Sequence, residues 1–206
     1  NDLKIKNKFI QIFKSYNQTR QDILKNNDEI NFVFVIPSYN NSSYLKKNLD
    51  SVFDQTYTKW RIIYVDDCST DDTYNLVKNY VLEKQFSNKV EIIKNEKNMK
   101  QAYSKFIAFK KCNDDEIICF LDGDDWLYDN QVLSNLRYEY CNNDIMLTYG
   151  SYYSFHKNEY KFVKAINYNQ NIIKNNLFRR AKGWYCKHMR TGYAKLYKSI
   201  PEQYLK

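Results

Sequence analysis

Three carboxylates fall within four residues in the segment Asp122-Gly123-Asp124-Asp125, directly after the apolar run Ile117-Ile118-Cys119-Phe120-Leu121. Carboxylates crowded at the end of a buried strand repel one another unless a cation or a cluster of donors compensates. Oxygen-only ligation suits a hard divalent ion, Mg²⁺ or Mn²⁺. Such an ion takes one or two protein carboxylates and fills its shell with phosphate and water. Gly123 lets the turn pass close to a ligand with no Cβ in the way. An isolated Asp-x-Asp is more often a solvated helix cap; its place after a buried strand is what favours the metal.

Two other groups offer complementary chemistry. Asp66-Asp67 follows the apolar run Trp60 to Val65, where a carboxylate can accept from a base N–H or a ribose hydroxyl. Asp67 or Ser69 can equally cap the next helix. In Pro37-Ser38-Tyr39-Asn40, Tyr39 presents a flat ring for a nucleobase and a phenolic hydroxyl, or simply packs over the strand edge. Lys100 can neutralise a diphosphate, a weak signal in so lysine-rich a chain. His188 stands in Trp184-Tyr185-Cys186-Lys187-His188-Met189-Arg190-Thr191; a lone histidine is more often structural than a ligand, and His156 lacks even that context.

These groups act together only if the fold assembles them. Asn31 to Ile36 reads as a buried strand stopped by Pro37, and Ser42 or Ser43 can cap a helix over Tyr44 to Asp54. Strands over Trp60–Val65, Lys89–Lys94 and Glu116–Leu121 alternate with helices over Thr73–Glu83 and Gln101–Lys111. That alternation predicts an α/β fold with a doubly wound, mostly parallel sheet flanked by helices. Ligands of such sheets bind beyond the carboxyl ends of the strands. The rule puts Pro37 to Asn40, Asp66-Asp67 and Asp122 to Asp125 on one edge, around one crevice.

The remaining chain is read more coarsely. Leu3 to Leu24 has helical apolar spacing, so residues 1–30 are expected to form an amphipathic N-terminal helix. Residues 31–206 make one domain, in which 31–127 bind the ligand and 128–206 form a partial second-substrate side. A helix over Asn130–Cys141 and a strand over Asp144–Tyr149 are expected there. Residues 151–182 read as polar and irregular, apart from an apolar-spaced stretch over Ile172–Phe178.

Composition narrows the class without deciding it. A net charge of +8 invites a nucleic-acid partner, but the lysines are scattered, so a solvated basic surface is expected and no nucleic acid. Five cysteines without CxxC spacing argue against a zinc site or a disulfide framework. With no leader pattern and no apolar run near the roughly 20 residues of a membrane span, a cytoplasmic setting is expected, the cell's own or a host's.

Val35-Ile36-Pro37-Ser38-Tyr39-Asn40, the helix from Leu45 through Asp50-Ser51-Val52-Phe53-Asp54-Gln55-Thr56-Tyr57, Val65-Asp66-Asp67-Cys68-Ser69-Thr70-Asp71 and Leu121-Asp122-Gly123-Asp124-Asp125-Trp126-Leu127 form four ordered blocks. In order and spacing they resemble the family 2 glycosyltransferases of the GT-A fold, over roughly residues 31 to 150. The resemblance implies inverting transfer from a nucleotide-diphosphate sugar, most often a UDP-sugar, to an acceptor hydroxyl on glycan, protein or lipid, with Mn²⁺ or Mg²⁺ on the diphosphate. It makes Pro37 and Tyr39, with Ser38 and Asn40 beside them, the nucleoside site and Asp67 (or Asp66) the uracil acceptor. Lys100 falls near the phosphates. Asp124 becomes the metal ligand, with Asp122 and Asp125 reaching ribose, metal or sugar across Gly123, and His188 completing the metal shell. Trp184 and Arg190 fall on the acceptor side, Trp184 as a stacking platform.

Two departures accompany the resemblance. Asn98-Met99-Lys100 stands where the family often has Asn-x-Gly, which puts the local loop geometry in question. Inverting transfer also needs a general base. After Arg190 only Glu202 is available, so the base is expected outside this sequence, and a UDP-binding fragment without turnover is the main alternative. A nucleotidyltransferase would want a Gly-rich phosphate loop after the first strand, and a nucleic-acid-binding module a clustered basic-aromatic face. Neither is found.

Overall fold

The computed structural model describes residues 29–142, 145–156, 159–166, 168–175 and 188–201. The expected N-terminal helix, Asp144, Trp184 and Glu202 lie outside them. The elements are β1 (Phe32–Ser38), α1 (Leu45–Phe53), β2 (Trp60–Asp66), α2 (Thr73–Glu83), β3 (Val90–Lys94), α3 (Lys100–Phe109), β4 (Ile117–Phe120), α4 (Val132–Asn142), β5 (Leu147–Tyr149), β6 (Tyr152–His156), β7 (Glu159–Val163), α5 (Gln170–Lys174), β8 (Arg190–Tyr193) and α6 (Ala194–Lys198). The main sheet runs β3-β2-β1-β4-β8-β5. The first four strands are mutually parallel, and β8 lies antiparallel to both β4 and β5.

The central strands β1, β2 and β4 are largely apolar because both faces of the sheet are covered there. Side chains alternate: Phe32, Phe34 and Ile36 join Ile62, Tyr64, Ile117 and Cys119 in one core, with Leu45, Leu49 and Val52 of α1 and Val77 and Val81 of α2. Val33, Val35, Ile63, Val65, Ile118 and Phe120 face the other way, onto Phe106, Ala108 and Phe109 of α3 and Ala194 of α6. Chain order reverses between β1 and β4, the switch point at which doubly wound sheets open a crevice.

Several expectations change in detail. Strand β1 does not stop at Pro37; Pro37 pairs with Val65 in register, and its carbonyl still accepts from Gly123 N at 3.1 Å. Neither Ser42 nor Ser43 caps α1; the N-cap is Tyr44, without a side-chain cap, and Ser42 N donates to Asp71 Oδ2 at 3.3 Å. The N-cap of α2 is Asp72, at the end of the cap-rich run Ser69-Thr70-Asp71-Asp72 rather than Asp67 or Ser69, and the Asp71 carboxylate accepts from Thr73 N at 3.0 Å. The stretch read as irregular holds a hairpin, β6 paired antiparallel with β7. The four-residue strand β8 was not expected at all; it is too short to show a period. No described helix is long and apolar enough to cross a membrane.

Candidate functional site

Backbone bonds continue the parallel ladder beyond the strand ends and draw three loops together. Asp67 N donates to Ser38 O at 2.8 Å, Asn95 N to Asp66 O at 2.9 Å and Leu121 N to Val35 O at 3.2 Å. The acidic turn is then held from below by α1. Asn48, fully buried, donates through Nδ2 to Asp122 O at 3.1 Å and Asp125 O at 2.7 Å. Ser51 Oγ accepts from Leu127 N at 3.1 Å, and Gln55 donates to Asp129 O at 2.6 Å and accepts from Leu133 N at 2.9 Å. Asn48 and Ser51 share one face of α1, and Gln55, two residues past the helix end, extends the hold to residues 129 and 133. Gly123 is required by the protein itself: a Cβ there would sit 2.6 Å from Asn41 Nδ2 and 2.7 Å from Ser38 Oγ. The sequence had suggested ligand approach as its reason; the observed reason is close packing on the end of β1.

On this turn, ligand atoms of Asp122, Asp125 and His188 lie within 4.8 Å of one another, a grouping able to hold a metal ion. His188 Nδ1 is 3.7 Å from Asp125 Oδ2. Histidine 188 reaches the turn because β8 is antiparallel to β4, with Arg190 opposite Phe120, so the segment before β8 arrives where β4 ends. Asp124, expected as the principal ligand, occupies the turn and is exposed; it is outside that grouping. Burial pushes the Asp125 carboxyl above its ordinary value, helped by Asp124 and Asp122 and opposed by His188. Lys105 of α3 brings a cation, its Nζ 2.9 Å from Asp122 Oδ1. Burial pulls the Lys105 ammonium below the usual lysine value, against the Asp122 charge, and Arg190 pulls the same way.

The nucleoside-side residues fall into two kinds. Asp66 is fully buried; its Oδ2 accepts from Ser69 N at 3.1 Å, while Oδ1 has no hydrogen-bond partner among the described residues. Tyr39 is 43% exposed at the mouth of the same edge. By contrast Asp67 Oδ1 is taken by Asn95 Nδ2 at 2.7 Å and Met99 N at 2.8 Å. Ser38 Oγ accepts from Tyr64 OH at 2.7 Å and Asn41 Nδ2 at 3.1 Å. Asn40 staples two loops: its Oδ1 accepts from Thr70 N at 2.8 Å and its backbone N donates to Ser69 Oγ at 3.0 Å.

The profile of Glycosyl transferase family 2 matches residues 33–202. The chain belongs to that family. Among curated relatives of this family 2 chain, a UDP-Glc:alpha-D-GlcNAc-diphosphoundecaprenol beta-1,3-glucosyltransferase from Escherichia coli is 32% identical over 145 residues, 68% of this chain and 54% of the relative. A putative teichuronic acid biosynthesis glycosyltransferase from Bacillus subtilis is 32% identical over 91 residues, 44% of this chain and 34% of the relative. The chain thus spans about half or less of the length of these relatives. Solved structures bear out the GT-A fold. A mannosyltransferase from Pyrobaculum calidifontis, in complex with GDP-Man and Mn²⁺, aligns with TM-score 0.53 at 16% identity, over 68% of this chain and 45% of that one. GalNAc-T7 with UDP, GalNAc and Mn²⁺ aligns with TM-score 0.54 at 15% identity, over 82% of this chain and 36% of that one.

In this family 2 chain the missing glycine at position 100 has a structural answer. Lys100 sits at φ 70°, in the left-handed region that a glycine would occupy freely. The loop keeps its path and the lysine bears the strain; Asp67 holds that path through Met99 N. Two contributors were not legible beforehand. Lys105 is one lysine among many, 17 residues from its partner, and Asn48 acts through backbone carbonyls that no side-chain motif reveals.

Proposed function

We propose that this chain binds a UDP-sugar at the carboxyl edge of its sheet, with Mn²⁺ or Mg²⁺ on the diphosphate, and transfers the sugar with inversion to an acceptor hydroxyl. The observation that carries the reading is the Asp122, Asp125 and His188 grouping at the switch-point edge. Two carboxylates and one imidazole fit a divalent ion, and the nitrogen favours Mn²⁺ over the more strictly oxygen-seeking Mg²⁺. A divalent ion there neutralises charge on the departing nucleoside diphosphate. The UDP-glucose donor in the Escherichia coli relative's name points to the same donor class.

The chain's own residues divide the remaining work. Tyr39 stacks on the base, and the buried Oδ1 of Asp66 accepts from its N–H, which would satisfy an atom that has no hydrogen-bond partner among the described residues. Asp67 supports that site through the 95–99 loop, with Pro37, Ser38 and Asn40 shaping its floor. Lys105 and Lys100 meet the diphosphate charge, and Asp124, exposed on the turn, contacts the sugar side. Arg190 lies on the acceptor side. The general base belongs to no described residue that can be named.

Calorimetry of UDP with and without Mn²⁺ tests the reading. Mn²⁺ is expected to tighten UDP binding at least tenfold, a gain of about 1.4 kcal/mol, and Asp125→Ala is expected to abolish that gain. Equal UDP affinity with and without Mn²⁺ sinks the metal assignment, and no UDP binding at all sinks the donor.

A further inference from the structure

The β6–β7 hairpin carries a feature that the donor site does not use. Register pairs Tyr153 with Phe162 and Phe155 with Tyr160, which places all four rings on one face. Ser154, His156, Glu159 and Lys161 fall on the other. The aromatic face is not sealed against the domain: Tyr153, Phe155, Tyr160 and Phe162 remain 47%, 47%, 58% and 53% exposed. Rings this large, on a two-stranded sheet too small to hold a core, mark an interaction surface.

That face is continuous with the acidic turn. Trp126, next in sequence to Asp125, meets Phe155 edge-on with centroids 6.5 Å apart, and Tyr128 stacks on Tyr153 at 5.3 Å with an interplanar angle of 15°. Tyr128 is itself 76% exposed. On the hairpin's other face, Tyr152 packs edge-on against the His188 ring at 5.8 Å. The hairpin is therefore tied on one face to the segment just after Asp125 and on the other to His188.

We infer that this row of aromatic rings is the acceptor subsite and that it takes the pyranose rings of a glycan, an inference that rests on the donor reading above. The negative face of an aromatic ring attracts the weakly positive C–H groups of a sugar's flat side. Three rings of the row, Tyr128, Tyr153 and Tyr160, add phenolic hydroxyls that hydrogen-bond sugar hydroxyls, whereas an acyl chain would leave those groups unmatched. Continuity with Asp125 places the first sugar of a bound glycan beside the proposed donor.

Binding of the full chain to an array of immobilised oligosaccharides, repeated with phosphatidylglycerol vesicles, tests this. Oligosaccharide binding is expected, with affinity at least tenfold weaker in the Tyr153→Ser, Phe162→Ser double variant and retained in Phe162→Tyr, which keeps the ring. No binding to any oligosaccharide, or binding untouched by the double variant, overturns the assignment. Vesicle binding that depends on the same rings, without oligosaccharide binding, overturns it in favour of a lipid surface. UDP calorimetry on the unaltered chain reads the donor separately: oligosaccharide binding without UDP binding would sink the donor reading and leave the glycan surface standing.

Discussion

At the level of single residues, Lys100 shows how a motif can lose its residue and keep its shape. A side chain at φ 70° crowds the backbone, at a cost of about 1 kcal/mol or more. Lys100→Gly is therefore expected to stabilise the chain by about 1 kcal/mol, less the added entropy of a glycine in the unfolded state. Denaturant unfolding checks it: the midpoint should rise at unchanged slope, and a fall would mean that the lysine makes a compensating contact. The neighbouring acidic turn makes a related point about identity. Asp122, Asp124 and Asp125 are indistinguishable as residue types, yet Asp122 is paired with Lys105, Asp124 is exposed, and only Asp122 and Asp125 group with His188.

Among the elements, α1 does more than cover the sheet. Its apolar positions Leu45, Leu49 and Val52 enter the core, while Asn48 and Ser51, joined by Gln55 just past the helix end, turn toward the segment that follows the acidic turn. Asn48→Ala strips the donor from two carbonyls of the acidic turn and is expected to cost about 2 kcal/mol in stability. It should also weaken Mn²⁺-dependent UDP binding although Asn48 itself points at backbone. Thermal unfolding together with UDP calorimetry separates the two effects; unchanged metal dependence would show that the turn holds its shape without this clamp. The hairpin was the element most nearly legible and still missed. Aromatic residues at 153, 155, 160 and 162 alternate as a strand does, but scattered lysines and asparagines around them gave the segment the look of a loop.

For the whole molecule, two-sided burial of the sheet governs the thiols. Cys119 is fully buried in the core, and burial pushes the Cys112 thiol up to about 12, from 9.0. Both should stay unreacted toward iodoacetamide in the native chain at about pH 8 and react on unfolding. Cys112's folded value lies above its unfolded one, so its share of stability is intact below about pH 9 and fades as pH climbs toward about 12. Mass spectrometry of the alkylated chain checks the first expectation; native labelling of Cys119 would mean that the sheet opens far more readily than its packing allows.

The mostly parallel, doubly wound core and the edge on which the polar clusters meet were determined by sequence alone, whereas the strand order, with β8 between β4 and β5, came from the structure. Continuous apolar runs alternating with amphipathic helices admit few other packings, and the carboxyl-edge rule follows from that winding. Residues 33 to 127 were legible for this reason: each run is long enough to show its period. Tertiary structure decided how partners from distant or aperiodic segments arrive. His188, named beforehand only through the family resemblance, reaches the turn because a four-residue strand runs antiparallel to β4; Lys105 enters through its ion pair with Asp122, and the aromatic row because a hairpin folds back on Trp126 and Tyr128. Short strands and long-range pairings leave no periodic trace, so these contacts appear only when the chain is packed.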